Sequence, residues 1–166
     1  MNKSEERKRM DEAAKEVVQV ILRNSPNCGW VDSGGSSYSR IDGMLYKGAF
    51  SERELCALVE IKCRNISAFE LFSKYDCELM VDESKIDALK LVSSMLCAPA
   101  YLVVYLLKSG AVLQLPITNS KGQLTCKMRS ECVSAPSTMG GSVVEKKVAK
   151  IKIDGSTILS TEEKKS

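Results

Sequence analysis

The stretch Ser39–Cys63, which reads SRIDGMLYKGAFSERELCALVEIKC, decides the fold of this chain. It contains two runs with the composition of β-strands, Ser39–Lys47 and Leu55–Cys63, and a short connection, Gly48–Glu54, that is typical of a hairpin. In the second run apolar residues alternate with more varied ones, as they do in a strand with one face in a core. We therefore expect an antiparallel strand pair near the middle of the domain.

Each of these two predicted strands carries an acid inside an otherwise apolar pattern. Asp42 lies in the first strand, and Glu60 lies in the second with Lys62 two residues later. Residues two apart on a strand point to the same face of the sheet. A carboxylate and an ammonium near a sheet core are unfavourable unless they are paired or bind something. This trio is therefore the candidate functional site.

The Glu-x-Lys spacing alone identifies nothing, because it occurs six times in the chain. Only the copy at 60–62 lies on a predicted central strand that directly follows a strand carrying an aspartate. The copies at 6–8 and 83–85 lie on predicted helices or at their edges, and those at 162–165 lie in a polar tail. The copy at 145–147 has no matching acid upstream.

Outward from this stretch, the sequence predicts alternating helices and strands. Ser67 and Glu70 form a capping box at the start of a short helix. Helical spacing of apolar residues predicts two longer helices. The predicted order is α-β-β-β-α-(β)-α-β-β, an α/β domain with a central mixed sheet flanked by helices. The further elements are the helix 4–24, a short strand at Trp30-Val31, the helix Ser67–Ser73, the extended run Cys77–Val81, a helix from Asp82 or Glu83 to about Cys97, and a hairpin of Tyr101–Leu107 with Val112–Ile117.

The end of the chain has weaker signals. We predict a core over 1–117, a C-terminal β extension of the same domain over 118–159 and a disordered tail over 160–166. Val143–Ile153 alternates loosely and is expected to hold one or two strands. Residues 121–166 carry nine basic and five acidic side chains, so this part could contact a polyanion or simply be a solvated lysine-rich segment.

Composition restricts the chemistry. The chain has 166 residues, enough for one domain with a real core, and it has no histidine. The absence of histidine excludes Ser-His-Asp and Cys-His catalysis and imidazole metal ligands. Seven scattered cysteines without a C-x-x-C pair give zinc no support and are expected to be reduced thiols. Carboxylates, lysines, hydroxyls and a hard cation remain.

The location and partners follow from similar reasoning. The charged start of the chain lacks a secretory pattern, and the longest apolar stretch, Ala98–Leu107, is too short to span a bilayer. We expect a cytoplasmic protein, or one of the host cytoplasm if it is phage-encoded. We expect neither a membrane partner nor a nucleotide cofactor.

The order helix, strand, strand with Asp, strand with Glu-x-Lys, helix, strand resembles the PD-(D/E)XK nuclease superfamily. The resemblance covers roughly residues 5–107 and is greatest to archaeal Holliday junction resolvases and small phage nucleases. It implies a restriction-endonuclease-like αβββαβ core with extra C-terminal strands. Ile41 stands where the family name has proline, which the family often lacks. The matching pieces are Glu16 in the first helix, Gly35-Ser36 in a loop, Asp42, and Val59-Glu60-Ile61-Lys62.

The resemblance implies a nuclease that hydrolyses phosphodiester bonds in DNA with Mg²⁺ or Mn²⁺, with structured or branched DNA among its substrates. Lys62 would orient the attacking water or stabilise developing charge. A homodimer is implied as well. The implied metal ligands are Asp42, Glu60 and the backbone carbonyl of Ile61, with Glu16 as a further ligand and Glu12 as its alternative. The candidate nucleic-acid contacts are Ser36, Arg64 and Lys85, each of which could equally be an ordinary surface group.

Three functions remain open at this point. The first is the nuclease, acting on DNA or RNA and inside or at the end of a strand. The second is a non-catalytic domain that binds nucleic acid or protein and has the same fold. The third is a structural α/β domain in which Glu60 and Lys62 form a surface ion pair on an edge strand.

Overall fold

The computed structural model describes residues 3–33, 41–48, 51–136 and 142–161. Within these residues the chain forms three helices and nine strands. In chain order they are α1 (Lys3–Asn24), β1 (Cys28–Asp32), β2 (Gly43–Lys47), β3 (Glu54–Arg64), α2 (Ala68–Ser73), β4 (Glu78–Asp82), α3 (Glu83–Leu96), β5 (Ala100–Leu106), β6 (Ala111–Thr118), β7 (Met128–Pro136), β8 (Val143–Lys152) and β9 (Thr157–Thr161).

Six strands form a mixed main sheet in the order β1-β2-β3-β5-β6-β9. The strands β1, β2 and β3 are antiparallel, as the opening stretch of sequence predicts. The strands β3 and β5 are parallel, so the chain crosses over between them through α2, β4 and α3. The strands β5 and β6 form the predicted hairpin. The α/β class and the predicted order of elements up to β6 are therefore confirmed.

The two longer helices cover opposite faces of the main sheet. The face that packs on α3 is called the α3 face here, and its core includes Leu58, Leu102 and Ile86. The opposite face packs on α1, and its core includes Val17 and Tyr105. Because successive residues of a strand point to opposite faces, β3 from Ala57 onwards directs its even-numbered side chains to α3 and its odd-numbered ones to α1. This alternation decides where the candidate site lies.

The predicted central mixed sheet and extra C-terminal strands are confirmed, but only β9 of the C-terminal strands joins that sheet. The strands β4, β8 and β7 form a separate three-stranded antiparallel sheet, in that order. This second sheet also packs on α3, where Leu79, Val81 and Ile151 join the α3 core. The buried residues of α3 are Ile86, Ala88, Leu89 and Ser93, whereas Leu91 and Met95, which widen the apolar stripe in the sequence, are exposed.

Local chemistry explains the ends of the crossover helices. Ser67 accepts a hydrogen bond from the Glu70 N–H, and the Glu70 carboxylate accepts one from the Ser67 N–H, so the predicted capping box of α2 is confirmed. The helix α3 begins at Glu83 and ends before Cys97, which has a left-handed conformation (φ 52°). Pro99 follows closely, as is common after a helix end.

One predicted strand begins later than expected, and two strands are additional to the prediction. The strand predicted from Ser39 begins only at Gly43, and residues 34–40 lie outside the described residues. The strand β7 was not predicted, because its sequence is polar and lacks a clear alternation. The strand β9 was not predicted either, and it continues to Thr161, inside the segment predicted to be disordered, because it pairs with β6. In the ranges that the structure describes, no helix is both long and apolar enough to cross a membrane.

Candidate active site

The pairing of β2 with β3 places Asp42 beside Glu60. Met44 pairs directly with Leu58, and both pack in the α3 core. Continued one position beyond the start of β2, this register sets the backbone of Asp42 across from Glu60, and Asp42 contacts the residues on either side of Glu60, Val59 and Ile61. Lys62 pairs with Glu60 directly. The topology therefore places Asp42 on the strand position next to the Glu60–Lys62 pair.

The carboxylate of Asp42 accepts a main-chain hydrogen bond from β3 that a carbonyl of β2 would otherwise accept. The main-chain N–H of Asp42 donates to the Val59 carbonyl (3.0 Å), and β2 then departs from β3. At the next position the Ile61 N–H donates to Oδ2 of Asp42 at 2.6 Å. In a strand the N–H and C=O of one residue point towards the same neighbour, so the Ile61 carbonyl also faces this side. Asp42 itself is exposed.

Gly43, the first residue of β2, packs closely against β1 at this point. The indole of Trp30 covers Gly43, and a Cβ added there would lie 2.1 Å from Cζ2 of Trp30. The indole N–H donates to Oδ1 of Asp32 at 2.7 Å, which fixes the orientation of the ring. No side chain other than hydrogen fits at Gly43 without displacing Trp30. This pair is not predicted from the sequence, although a glycine directly after the strand acid and a lone tryptophan are both visible there.

Glu60 is fully buried and is paired with two lysines. Its Oε1 lies 2.6 Å from Nζ of Lys62 and 3.2 Å from Nζ of Lys85. The Glu60 side chain is 1% exposed, whereas Lys62 and Lys85 are 26% and 31% exposed. The two ammonium groups therefore lie between the buried carboxylate and solvent. The charge of the three side chains sums to +1, which favours an anion at the surface of the site.

The second oxygen of Glu60 has no hydrogen-bond partner among the described residues. Oε2 is buried and accepts no hydrogen bond from any residue that the structure describes. An unpaired buried carboxylate oxygen is unfavourable by about 1–3 kcal/mol or more, so a protein seldom retains one without a use for it. Oxygen donors of this kind suit Mg²⁺ or Mn²⁺.

The donor set is small. Within the described ranges no three cysteine, aspartate or glutamate side chains come together in a way that could hold an ion. A cation at this site would therefore need a backbone carbonyl in addition to Asp42 and Glu60. The Ile61 carbonyl faces the right side to supply that donor, so the residues present fit a hard divalent cation.

The structure excludes the interpretation of Glu60 and Lys62 as a surface ion pair on an edge strand. The strand β3 lies inside the main sheet, between β2 and β5. Glu60 is buried. A surface pair would leave both side chains in water, where it would be worth little.

Glu16 lies on the opposite face of the main sheet. Its Oε2 accepts a hydrogen bond from the Tyr105 hydroxyl at 3.1 Å, and Tyr105 belongs to the core under α1. Glu60 and Lys62 point to α3 instead. The structure therefore does not bring Glu16 together with the other predicted ligands. Glu12, the alternative acid on α1, is exposed.

The predicted nucleic-acid contacts have different surroundings. Lys85 lies in the first turn of α3 and forms an ion pair with Glu60, a role that the sequence analysis did not foresee. Arg64 follows Lys62 on the same face of β3 and donates from Nη2 to the Met80 carbonyl at 2.7 Å. Burial lowers the pKa of the Arg64 guanidinium. Ser36 lies outside the described residues.

Comparisons with known proteins add no relative. No family model matches this chain. No curated protein matches it significantly either.

Proposed function

We propose that this protein is a metal-dependent nuclease that hydrolyses phosphodiester bonds in DNA. The observation that carries the proposal is the buried Glu60 carboxylate, which has one oxygen without a partner, Asp42 opposite it in the sheet, and two lysines at its mouth. The order of elements around these residues resembles the PD-(D/E)XK superfamily, with its restriction-endonuclease-like core. The nuclease activity, the DNA substrate and the homodimer are all part of the proposal.

The residues would divide the work as follows. Asp42, Glu60 and the Ile61 carbonyl would hold Mg²⁺ or Mn²⁺. A bound divalent cation supplies Lewis-acid stabilisation of phosphate charge and makes bound water more acidic. Lys62 and Lys85 present ammonium groups at the surface of the site, where they can contact phosphate oxygens and stabilise the charge that develops during hydrolysis. Burial of Glu60 strengthens these electrostatic interactions.

The pairing of Glu60 with two lysines also favours a second candidate function. Lys62 and Lys85 already neutralise the carboxylate through Oε1, and the Asp42 carboxylate already accepts a hydrogen bond from the Ile61 N–H. A domain with these contacts could bind a phosphate group through its lysines without cutting it. The two functions differ in whether a divalent cation binds.

A cleavage assay tests the proposal directly. The protein is incubated with single-stranded, duplex, flap and four-way-junction DNA in Mg²⁺, in Mn²⁺ and in EDTA. Cleavage is expected only with the cation and is expected to disappear in Glu60→Gln and Lys62→Ala. The matched control is Glu145→Gln, which changes another Glu-x-Lys glutamate, an exposed one on β8.

Metal binding provides a second readout that does not depend on the choice of substrate. Mn²⁺ should raise the melting temperature of the native protein and of Glu145→Gln, because a ligand that binds only the folded state stabilises it. It should have no such effect on Asp42→Asn or Glu60→Gln. Cleavage that survives Glu60→Gln would come from a contaminant. If the protein neither cleaves DNA nor binds Mn²⁺, the nuclease is rejected and the binding domain is favoured.

A further inference from the structure

A groove beside the candidate active site combines cationic and apolar side chains. It lies between the end of β3 and the second sheet, and Arg64, Tyr75, Met80, Arg129 and Lys150 contribute to its lining. Arg64 is two residues beyond Lys62 on the same face of β3, a separation of about 7 Å at the usual rise of a strand. The groove therefore begins where the candidate site ends.

The charges around the groove favour an anionic occupant. Four cations, Arg64, Lys74, Arg129 and Lys150, contribute to its lining, and the acids in the same lining are Asp76 and Glu78. Both acids already form ion pairs with cations of β7 or β8. Glu131 on β7 is paired in the same way with Arg129 and Lys150.

The pKa values agree with this pairing. A hydrogen bond from Arg129 lowers the pKa of Glu78, and one from Lys150 lowers the pKa of Glu131, so both acids stay ionised and engaged. Among the described residues, Arg64 donates to the Met80 carbonyl and has Asp82 nearby, and Lys74 has a 3.5 Å contact with Glu70. The Lys74 side chain is 65% exposed, so its ammonium group is accessible to a ligand.

Exposed side chains with large apolar surfaces also line the groove. Tyr75 and Met80 contribute to the lining and are 49% and 48% exposed. Phe69 and Phe72 are exposed on α2, the helix that ends two residues before Tyr75. Large exposed apolar side chains next to polar groups can mark a binding surface.

We infer that this groove binds an unpaired strand of nucleic acid next to the bond to be cut, an inference that rests on the proposed nuclease function. A duplex buries its bases and offers only phosphates to such a surface, which leaves exposed aromatic rings without a partner. An unpaired strand offers both a phosphate backbone to the cations and base faces to the rings, the combination that single-strand binding grooves use. The substrate is therefore DNA or RNA with a single-stranded segment beside the cleavage point.

Binding in EDTA tests the groove without cleavage. The probe is a fluorescein-labelled single-stranded DNA of about 12 nucleotides, within the roughly 4–16 that such grooves cover, with the matching duplex as competitor. The single strand should bind in preference to the duplex. Tyr75→Ala should weaken binding about 5- to 100-fold, which corresponds to the loss of one base–aromatic stack.

Matched variants separate stacking and charge from loss of folding. Tyr75→Phe keeps the ring and should bind within about twofold of the native protein, since stacking needs only the aromatic face. Lys74→Ala should reduce the slope of log affinity against log salt by about 0.7, the value for one lost phosphate contact on a single strand. Lys121→Ala removes an exposed lysine far along the chain and should change nothing. Circular dichroism checks that each variant is folded.

The outcomes distinguish this inference from the nuclease itself. The proposed strand binding is wrong if duplex and single strand bind equally, or if Tyr75→Ala binds with the affinity of the native chain, even if the protein cuts DNA. If binding depends on Tyr75 but the protein never cuts, the strand-binding groove is supported and the nuclease is rejected. If no nucleic acid binds at all, the inference is wrong and the exposed aromatic side chains serve a protein partner.

Discussion

Replacing Lys62 and Lys85 together by methionine should destabilise the protein strongly, although both side chains are partly exposed. The reason is Glu60, whose carboxylate is 1% exposed and whose ion pairs in the described residues are with these two lysines. Methionine keeps the length and the apolar part of each side chain, so the change isolates the charge. Without both ammonium groups the buried carboxylate has no compensation.

The magnitude follows from the geometry. Each lysine alone is 26% or 31% exposed, so either single substitution should decrease the free energy of unfolding by only about 1 kcal/mol, since the other lysine remains within 3.2 Å of Glu60. Removing both lysines should decrease the free energy of unfolding by about 3–5 kcal/mol, the usual effect of leaving one partner of a buried ion pair without the other. The excess over the two single effects, about 1–3 kcal/mol, is the coupling expected for residues that share a partner.

Urea denaturation at neutral pH, followed by circular dichroism and by Trp30 fluorescence, measures these differences. The decisive control is the triple variant that adds Glu60→Gln to the double substitution. Glutamine removes the buried charge, so the triple variant should return to within about 1 kcal/mol of the native protein. Lys90→Met, on the same helix with a 3.8 Å contact to Asp87, should change stability by less than about 0.5 kcal/mol.

The reasoning is refuted by either of two results. A double variant as stable as the native protein would mean that Glu60 is not a buried charge that depends on the lysines. A triple variant no more stable than the double would mean that the lysines stabilise the fold by packing.

Three further predictions concern the surroundings of the site. Gly43→Ala should destabilise the protein by about 1–3 kcal/mol through overpacking and should change the fluorescence of Trp30, the single tryptophan, because the new Cβ would lie 2.1 Å from the indole; Gly29→Ala, where a Cβ meets nothing within 4 Å, is the control. Hydrogen bonds from the Ser67 N–H and then from Lys108 lower the pKa of Glu70 to about 2. The stability that this carboxylate contributes should therefore be complete above its ordinary pKa of 4.5 and should be lost as pH falls towards 2. The free energy of unfolding, measured against pH, should show this decrease in the native protein and not in Glu70→Gln. Glu16→Gln should leave the Mn²⁺-induced rise in melting temperature unchanged while Asp42→Asn abolishes it, because Glu16 binds Tyr105 on the other face of the sheet; equal losses would place Glu16 in the metal site.

Sequence by itself determined the elements whose local signals agree with one another. The strands β2 and β3 follow from the alternation in one continuous stretch, and the capping box marks the start of α2 because both of its hydrogen bonds are local. The two-residue spacing of Glu60 and Lys62 predicts a shared face, and the ion pair between them follows from it. Such features depend on neighbours within a few residues, and those neighbours are visible in the sequence.

Tertiary structure decided the features that depend on distant segments. The strand β8 pairs with β4 across more than sixty residues, and no local pattern shows that these strands leave the main sheet. Lys85 reaches Glu60 only because the parallel crossover places the start of α3 over β3. Glu16 lies on a helix with apolar neighbours, but the face of the sheet on which α1 packs separates it from Glu60. The alternation of side chains across one strand is local, whereas the element that covers each face is a property of the whole fold.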